Sequence, residues 1–242
     1  MAEIGRLLTA MVTPFDEKGE VDFEQAKKLA HALLDSGSDG VVLSGTTGES
    51  PTLTSDEKMR LFSEVKQSVG DKGVVIAGTG TYSTAESIEL SQEAEKQGVD
   101  GLLLVVPYYN KPTQEGLYRH FSLVADAVQR PVILYNVPGR TGVDLIPETV
   151  VRLASHDNIV AIKEATGDLE RVEPLRDGCG MEFQLLSGDD GTSSEFMLSG
   201  GNGCVSVTAN VAPVAMRSLC DAARSGDRDQ ATSADRKLRA LH

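Results

Sequence analysis

The 242-residue sequence contains no tryptophan, only three cysteines and four histidines, and 23 Lys plus Arg against 36 Asp plus Glu. Each shortage narrows what the chain can do. A formal charge of −13, with no dense Lys/Arg cluster, leaves little to neutralise a run of phosphates and argues against a nucleic-acid partner. Cys179, Cys204 and Cys220 are odd in number and show no CxxC spacing, which fits reduced structural thiols better than a disulfide framework. His31, His120, His156 and His242 lie far apart, so no metal site is expected from them. Apolar runs are strand-sized, well short of the ~20 residues of a membrane helix. Met1–Arg6 lacks a basic region leading into an apolar stretch, so a cytoplasmic location is expected. A Walker loop is absent. Gly78-Thr79-Gly80 has Ser83 where a dinucleotide fingerprint would place its third glycine, and no nucleotide cofactor is expected.

The composition is otherwise that of a soluble globular protein, 40% hydrophobic and 24% charged. Short, nearly uniformly apolar runs alternate with amphipathic stretches of helix length. The candidate strands are Leu7–Val12, Gly40–Leu43, Val74–Ala77, Gly101–Val106, Val132–Tyr135, Ile159–Lys163, Phe183–Leu186 and Gly203–Val207. Uniform hydrophobicity is the mark of a parallel sheet covered by helices. The candidate helices include Asp22–Asp35, Ser55–Val69, Ser83–Gln97, Thr113–Val128, Pro147–Ala154 and Ala212–Ala223, with start signals at Ser55, at a Ser83–Glu86 capping box and at Pro147. Eight βα units point to an α/β fold closed as a (β/α)8 barrel, and the first strand lacks the glycine fingerprint of a doubly wound sheet. The expected division is a catalytic barrel over residues 1–224 and, over 225–242, the beginning of a C-terminal helical region that stops in mid-pattern, as if shortened.

In such a barrel the reactive groups sit where strands end. Lys163 closes the run Asn158–Ile162, and an amine facing a barrel mouth from an apolar strand is partly desolvated and nucleophilic. Taken alone, the same lysine reads more readily as a salt-bridge partner of Glu164 or as a side chain reaching to water. Tyr135 and Tyr109 end two other strands and can move protons, though each also reads as amphipathic packing. Gly45-Thr46-Thr47-Gly48 offers amides and hydroxyls in a tight turn, a fitting cradle for a small carboxylate. Arg140 can clamp a second carboxylate through its planar fork, or simply be solvated. Asp189-Asp190 reads as a structural acidic turn at a helix start.

At these residues the sequence resembles the dihydrodipicolinate synthase family, also called the 4-hydroxy-tetrahydrodipicolinate synthases, which open the diaminopimelate route to lysine. The resemblance spans nearly the whole chain. It is carried by Gly45-Thr46-Thr47-Gly48-Glu49-Ser50, Pro107-Tyr108-Tyr109-Asn110-Lys111-Pro112, Tyr135–Gly142, Ile162–Asp168 and Ser187-Gly188-Asp189-Asp190. It implies a lyase that uses no separate cofactor, forms a Schiff base between Lys163 and pyruvate, and condenses the enamine with L-aspartate 4-semialdehyde. It further implies that Tyr135 relays protons and that Thr47 links it to Tyr109. Tyr109 would cross from a partner subunit in a dimer of dimers. Thr46 and Thr47 would hold pyruvate's carboxylate, Arg140 the semialdehyde's, and Gly188 and Val205 would line the site. Pro138-Gly139-Arg140-Thr141 follows the synthase pattern, unlike N-acetylneuraminate lyases and keto-deoxy-sugar-acid aldolases of the same superfamily. A non-catalytic keto-acid-binding barrel is the reading from another class. The resemblance also implies a lysine-binding allosteric cleft at Ser50, Pro51, Ser55, Lys58, Tyr82, Glu86 and Tyr108. Ser55 and Lys58 replace histidines of that pattern and Tyr82 an asparagine, so weak or absent lysine feedback is expected.

Overall fold

The computed structural model describes residues 4–242. Eight parallel strands close on themselves: β1 (Leu7–Ala10), β2 (Gly40–Leu43), β3 (Val74–Gly78), β4 (Gly101–Val105), β5 (Val132–Asn136), β6 (Ile159–Glu164), β7 (Gln184–Ser187) and β8 (Gly203–Ser206). Closure is made by β1 against β8, in the register Leu8↔Val205. Helices cover the outside: α1 (Phe23–Asp35), α2 (Ser55–Val69), α3 (Thr84–Lys96), α4 (Gln114–Asp126), α5 (Pro138–Thr141), α6 (Pro147–Leu153), α7 (Val172–Cys179), α8 (Ser193–Leu198), α9 (Pro213–Ser225) and α10 (Arg228–Leu238). The (β/α)8 barrel expected from the sequence is what forms.

Strand alternation splits the apolar residues into two layers. Leu8, Val42, Ile76, Leu103, Ile133 and Leu186 pack inside the barrel. Val41, Leu43, Val75, Leu102, Leu104 and Ile162 face outward against α1 to α4, α6 and α7. A third cluster joins Leu7 and Cys204 to α9 and α10 through Leu219, Ala231 and Leu238. Residues beyond 225 therefore share a core with the barrel's seam. Gly226, at φ +78°, lets the chain turn sharply between α9 and α10.

Several element ends differ from expectation. β1 stops at Ala10, because the amide of Val12 turns away to donate to Asn210 Oδ1. β5 and β6 each run one residue further, because Asn136 and Glu164 still pair in register. At α2 the cap is Thr54, one residue before the expected start, in a reciprocal capping box with Glu57. At α3, Ser83 accepts from the Glu86 amide, but the Glu86 carboxylate takes the Thr81 hydroxyl, so only half of the expected box forms.

The N-terminal end of the barrel repeats one device three times. Asp39, Asp100 and Asn202 each stand one residue before an even strand. Each donates its amide to a carbonyl of the preceding strand (Leu7, Val75, Leu185) and accepts that residue's amide on its side chain, at 3.0, 2.8 and 2.9 Å. A cation then caps each ring: Arg217 on Asp39 at 2.7 Å, Lys66 on Asp100 at 2.8 Å and Arg176 on Asn202 at 2.6 Å. Burial alone would push the Asp39 carboxyl up, but the Leu7 amide, the Arg217 guanidinium and the Arg6 amide outweigh it and hold the group below its ordinary value.

Candidate active site

Tyr135 and Lys163 are direct partners across β5 and β6 and point into the barrel. Each is 5% exposed. The Lys163 Nζ lies 4.2 Å from the centroid of the Tyr135 ring. An irregularity in β6 sets this orientation. Val132 pairs with Ile159 and the next residue, Ile133, with Ala161, so Val160 is an extra residue. Ile159 faces outward, Val160 and Ala161 both face inward, and Ile162 faces outward again. Strict alternation from Ile159 would have sent residue 163 to the outer face; the bulge re-aims it inward.

Glu164 is not the partner of Lys163. It lies on the opposite face, where Arg171 Nε reaches its Oε2 at 3.1 Å. That rules out the salt-bridge reading of the lysine. No carboxylate pairs with Lys163 or Arg140 among the described residues.

Gly188 lies against the stem of Lys163: a Cβ there would stand 2.9 Å from both Cγ and Cε of the lysine and 2.7 Å from the Ala165 Cβ. Only glycine leaves the lysine its path. Gly78 serves the neighbouring turn in the same way, since a Cβ would come within 2.3 Å of the Ser44 carbonyl oxygen. Ser44 itself is left-handed at φ 52°, and Thr13 Oγ1 donates to the Gly48 carbonyl at 2.7 Å. The 45–48 turn is thereby held at the mouth, with Thr46 exposed and Thr47 half-buried.

A cleft of about 630 Å³ is lined by Thr46, Tyr135 and Arg140, whereas Lys163 and Thr47 are not among its lining residues. Ser50, Pro51, Ser55, Lys58, Tyr82, Glu86 and Tyr108 line the same cleft, so within one chain the two expected sites are continuous. Tyr82 and Tyr108 meet edge to face at 5.4 Å. Burial lowers the pKa of Lys58, against the pull of Glu86, and raises that of Tyr108. Val205 lies within the inner barrel cluster and Gly188 against Lys163, and neither lines the cleft. Tyr109 is not brought to the site by its own chain: it is 89% exposed, at φ 68°. Asp189 caps the turn at Asp190–Thr192 and Asp190 accepts the Val207 and Thr208 amides, the structural role expected of this pair. Among the described residues no group of three or more His, Cys, Asp or Glu is placed to hold a metal ion.

A parallel eight-stranded barrel with an inward lysine at the last residue but one of β6, a tyrosine beside it and an arginine on the cleft belongs with the barrel lyases and synthases. The chain belongs to the dihydrodipicolinate synthetase family, whose model matches residues 3–242. It is 52% identical over 236 residues to the 4-hydroxy-tetrahydrodipicolinate synthase of Heliobacterium modesticaldum, covering 98% of this chain and 79% of that one. The enzyme of the same name from Moorella thermoacetica is 53% identical over 234 residues, covering 97% and 80%. Among solved structures, the chloride-inhibited dihydrodipicolinate synthase of Acinetobacter baumannii complexed with pyruvate superposes with a TM-score of 0.97 at 47% identity, covering 99% of this chain and 82% of that one.

Proposed function

We propose that this chain is a 4-hydroxy-tetrahydrodipicolinate synthase, condensing pyruvate with L-aspartate 4-semialdehyde. The observation that carries the reading is the buried Tyr135–Lys163 rung, whose tyrosine opens on a cleft walled by Arg140. Lys163 attacks the pyruvate ketone, and loss of water from the carbinolamine gives an iminium. The iminium draws electrons from the methyl carbon, which loses a proton and becomes the enamine nucleophile. That carbon then bonds to the aldehyde of the second substrate. Tyr135 moves the protons at the nitrogen, the Thr46-Thr47 turn holds the pyruvate carboxylate, and the unpaired Arg140 fork takes the semialdehyde's carboxylate. Gly188 and Val205 form the floor.

Tyr109 completes the relay with Thr47 from a second copy of the chain, which its exposure supports, and the working unit is a dimer of dimers. Mixing Tyr109→Phe with Lys163→Ala protein should restore activity once subunits exchange; demonstrated exchange without recovery would remove the shared site. Lysine feedback is weak or absent, since Lys58 places a cation in the cleft that lysine would enter. Saturable lysine binding by calorimetry would contradict this. No helix of the described residues is long and apolar enough to cross a membrane, and the proposed location is the cytoplasm.

The direct test is incubation with pyruvate and borohydride. A mass adduct on Lys163 is expected, and a folded but unlabelled protein would refute the assignment. Turnover of the semialdehyde, but not of sialic acid or a keto-deoxy sugar acid, then separates synthase from lyase.

A further inference from the structure

One rung beyond Tyr135 and Lys163, Asn136 and Glu164 are partners in the same register, with side chains on the outer face of the barrel. Glu164 is 2% exposed. Its carboxylate receives Arg171 Nε at 3.1 Å, Asn136 Nδ2 at 3.2 Å and the Thr166 amide at 2.9 Å. Arg171 extends from there to Asp144 Oδ2 at 2.9 Å and to the Leu145 carbonyl at 2.7 Å. Asn136 closes the ring, donating to Asp144 Oδ1 at 2.8 Å and accepting the Leu145 amide at 3.0 Å. The Glu164 carbonyl also accepts the amide of Gly188, the residue against the Lys163 stem, at 2.7 Å.

A buried ion pair is costly to desolvate, and an apolar pair of similar volume would pack as well or better for stability alone. What this one does is geometric. It joins the last rung of β5 and β6 to Asp144 and Leu145 at the far end of the segment 137–145, whose exposed middle carries Arg140. We propose that Glu164, Arg171, Asn136 and Asp144 form a positioning network for the condensation. Glu164 fixes the strand ends so that Lys163 and Tyr135 face one another, and the Arg171–Asp144 arm holds the Arg140 loop over the mouth. None of the four touches substrate. The kinetic part of this inference rests on the proposed reaction; the conformational part does not.

Four variants separate the arms. In Asp144→Asn, amide exchange in 137–146 should accelerate and KM for the semialdehyde rise about 5- to 10-fold, with kcat and pyruvate KM within about twofold. Glu164→Gln should slow pyruvate–borohydride labelling and lower kcat by about 10- to 100-fold at an unchanged folded fraction. Arg171→Lys, which keeps charge but not the fork, should fall between wild type and Arg171→Gln. Should Arg171→Gln fail to fold, the doubly neutral Arg171→Gln/Glu164→Gln protein replaces it. Folded Glu164→Gln with unchanged labelling and kcat would overturn the network, as would Asp144→Asn with unchanged loop exchange. If wild-type protein itself took no label, the reaction assignment would fall, and exchange in Asp144→Asn would still decide the network.

Discussion

At the N-terminal end of the barrel, Asp39, Asp100 and Asn202 sit in reciprocal backbone rings, each sealed by a cation. At the C-terminal end, all four non-glycine residues with positive φ among those described are found: Ser44, Glu49, Tyr109 and Lys111, in the loops after β2 and β4. Left-handed backbone costs an L-residue about 1 kcal/mol or more. One end pairs its strand-edge carboxylates and amide with cations at low backbone strain, though Arg176 Nε is left without a partner, while the other carries strain and leaves Lys163 and Arg140 without carboxylate partners. The two ends differ in what they stabilise: the bottom holds the strands in register, and the strained top keeps these two cations out of ion pairs, where barrels of this kind place their reactive groups.

Substitutions at the two ends should separate activity from stability. The largest effect belongs to Lys163→Met, which should abolish the pyruvate adduct and lower kcat by at least about 10⁴-fold, while leaving the melting temperature unchanged or higher because a buried amine gives way to an apolar chain. A marked loss of stability would mean that Lys163 is part of the scaffold. Gly188→Ala places a Cβ against the lysine stem and the Ala165 Cβ and should cost about 100-fold in kcat and about 1–3 kcal/mol in stability, read by kinetics beside urea unfolding.

At the other end, Asp39→Ala should lose about 2–3 kcal/mol in urea unfolding with kcat per folded molecule unchanged. Its pH dependence has a definite sign. A carboxyl held below its ordinary value of 3.8 contributes stability above that pH, and the contribution is lost as pH falls through the lower folded value, so the variant should show a shallower acid loss than wild type. Reduced kcat in this variant would show that the ends are coupled. The smallest effect concerns His120, away from both ends on α4. Burial lowers its pKa from 6.5 to about 4, with Nδ1 2.9 Å from Thr84 Oγ1 and Nε2 unpartnered. The neutral ring is the folded form, so its contribution is complete above pH 6.5 and falls as pH drops toward 4. Wild type should lose about 2 kcal/mol between pH 7 and 5 from this group, and His120→Gln should lose correspondingly less.

Much of this was legible in the sequence, for local reasons. The eight uniformly apolar strands are covered on both faces, which leaves no alternation to hide, and their polar ends mark the barrel mouth. Lys163 and Tyr135 could be named because each closes such a run, and Gly45–Gly48 because adjacent glycines and threonines make a turn by themselves. Other features needed the fold. Which way Lys163 points depended on one extra residue in β6, visible only against the register of β5. The need for glycine at 188 depends on a lysine 25 positions earlier in the sequence, and the pairing of Glu164 with Arg171 on the opposite face reverses what adjacency in sequence suggests. Hydrophobic period and turn chemistry act over a few residues and are written in order along the chain. Register, close approach and the partner of a buried charge are set by segments that meet only when the barrel closes, and those the tertiary structure alone decided.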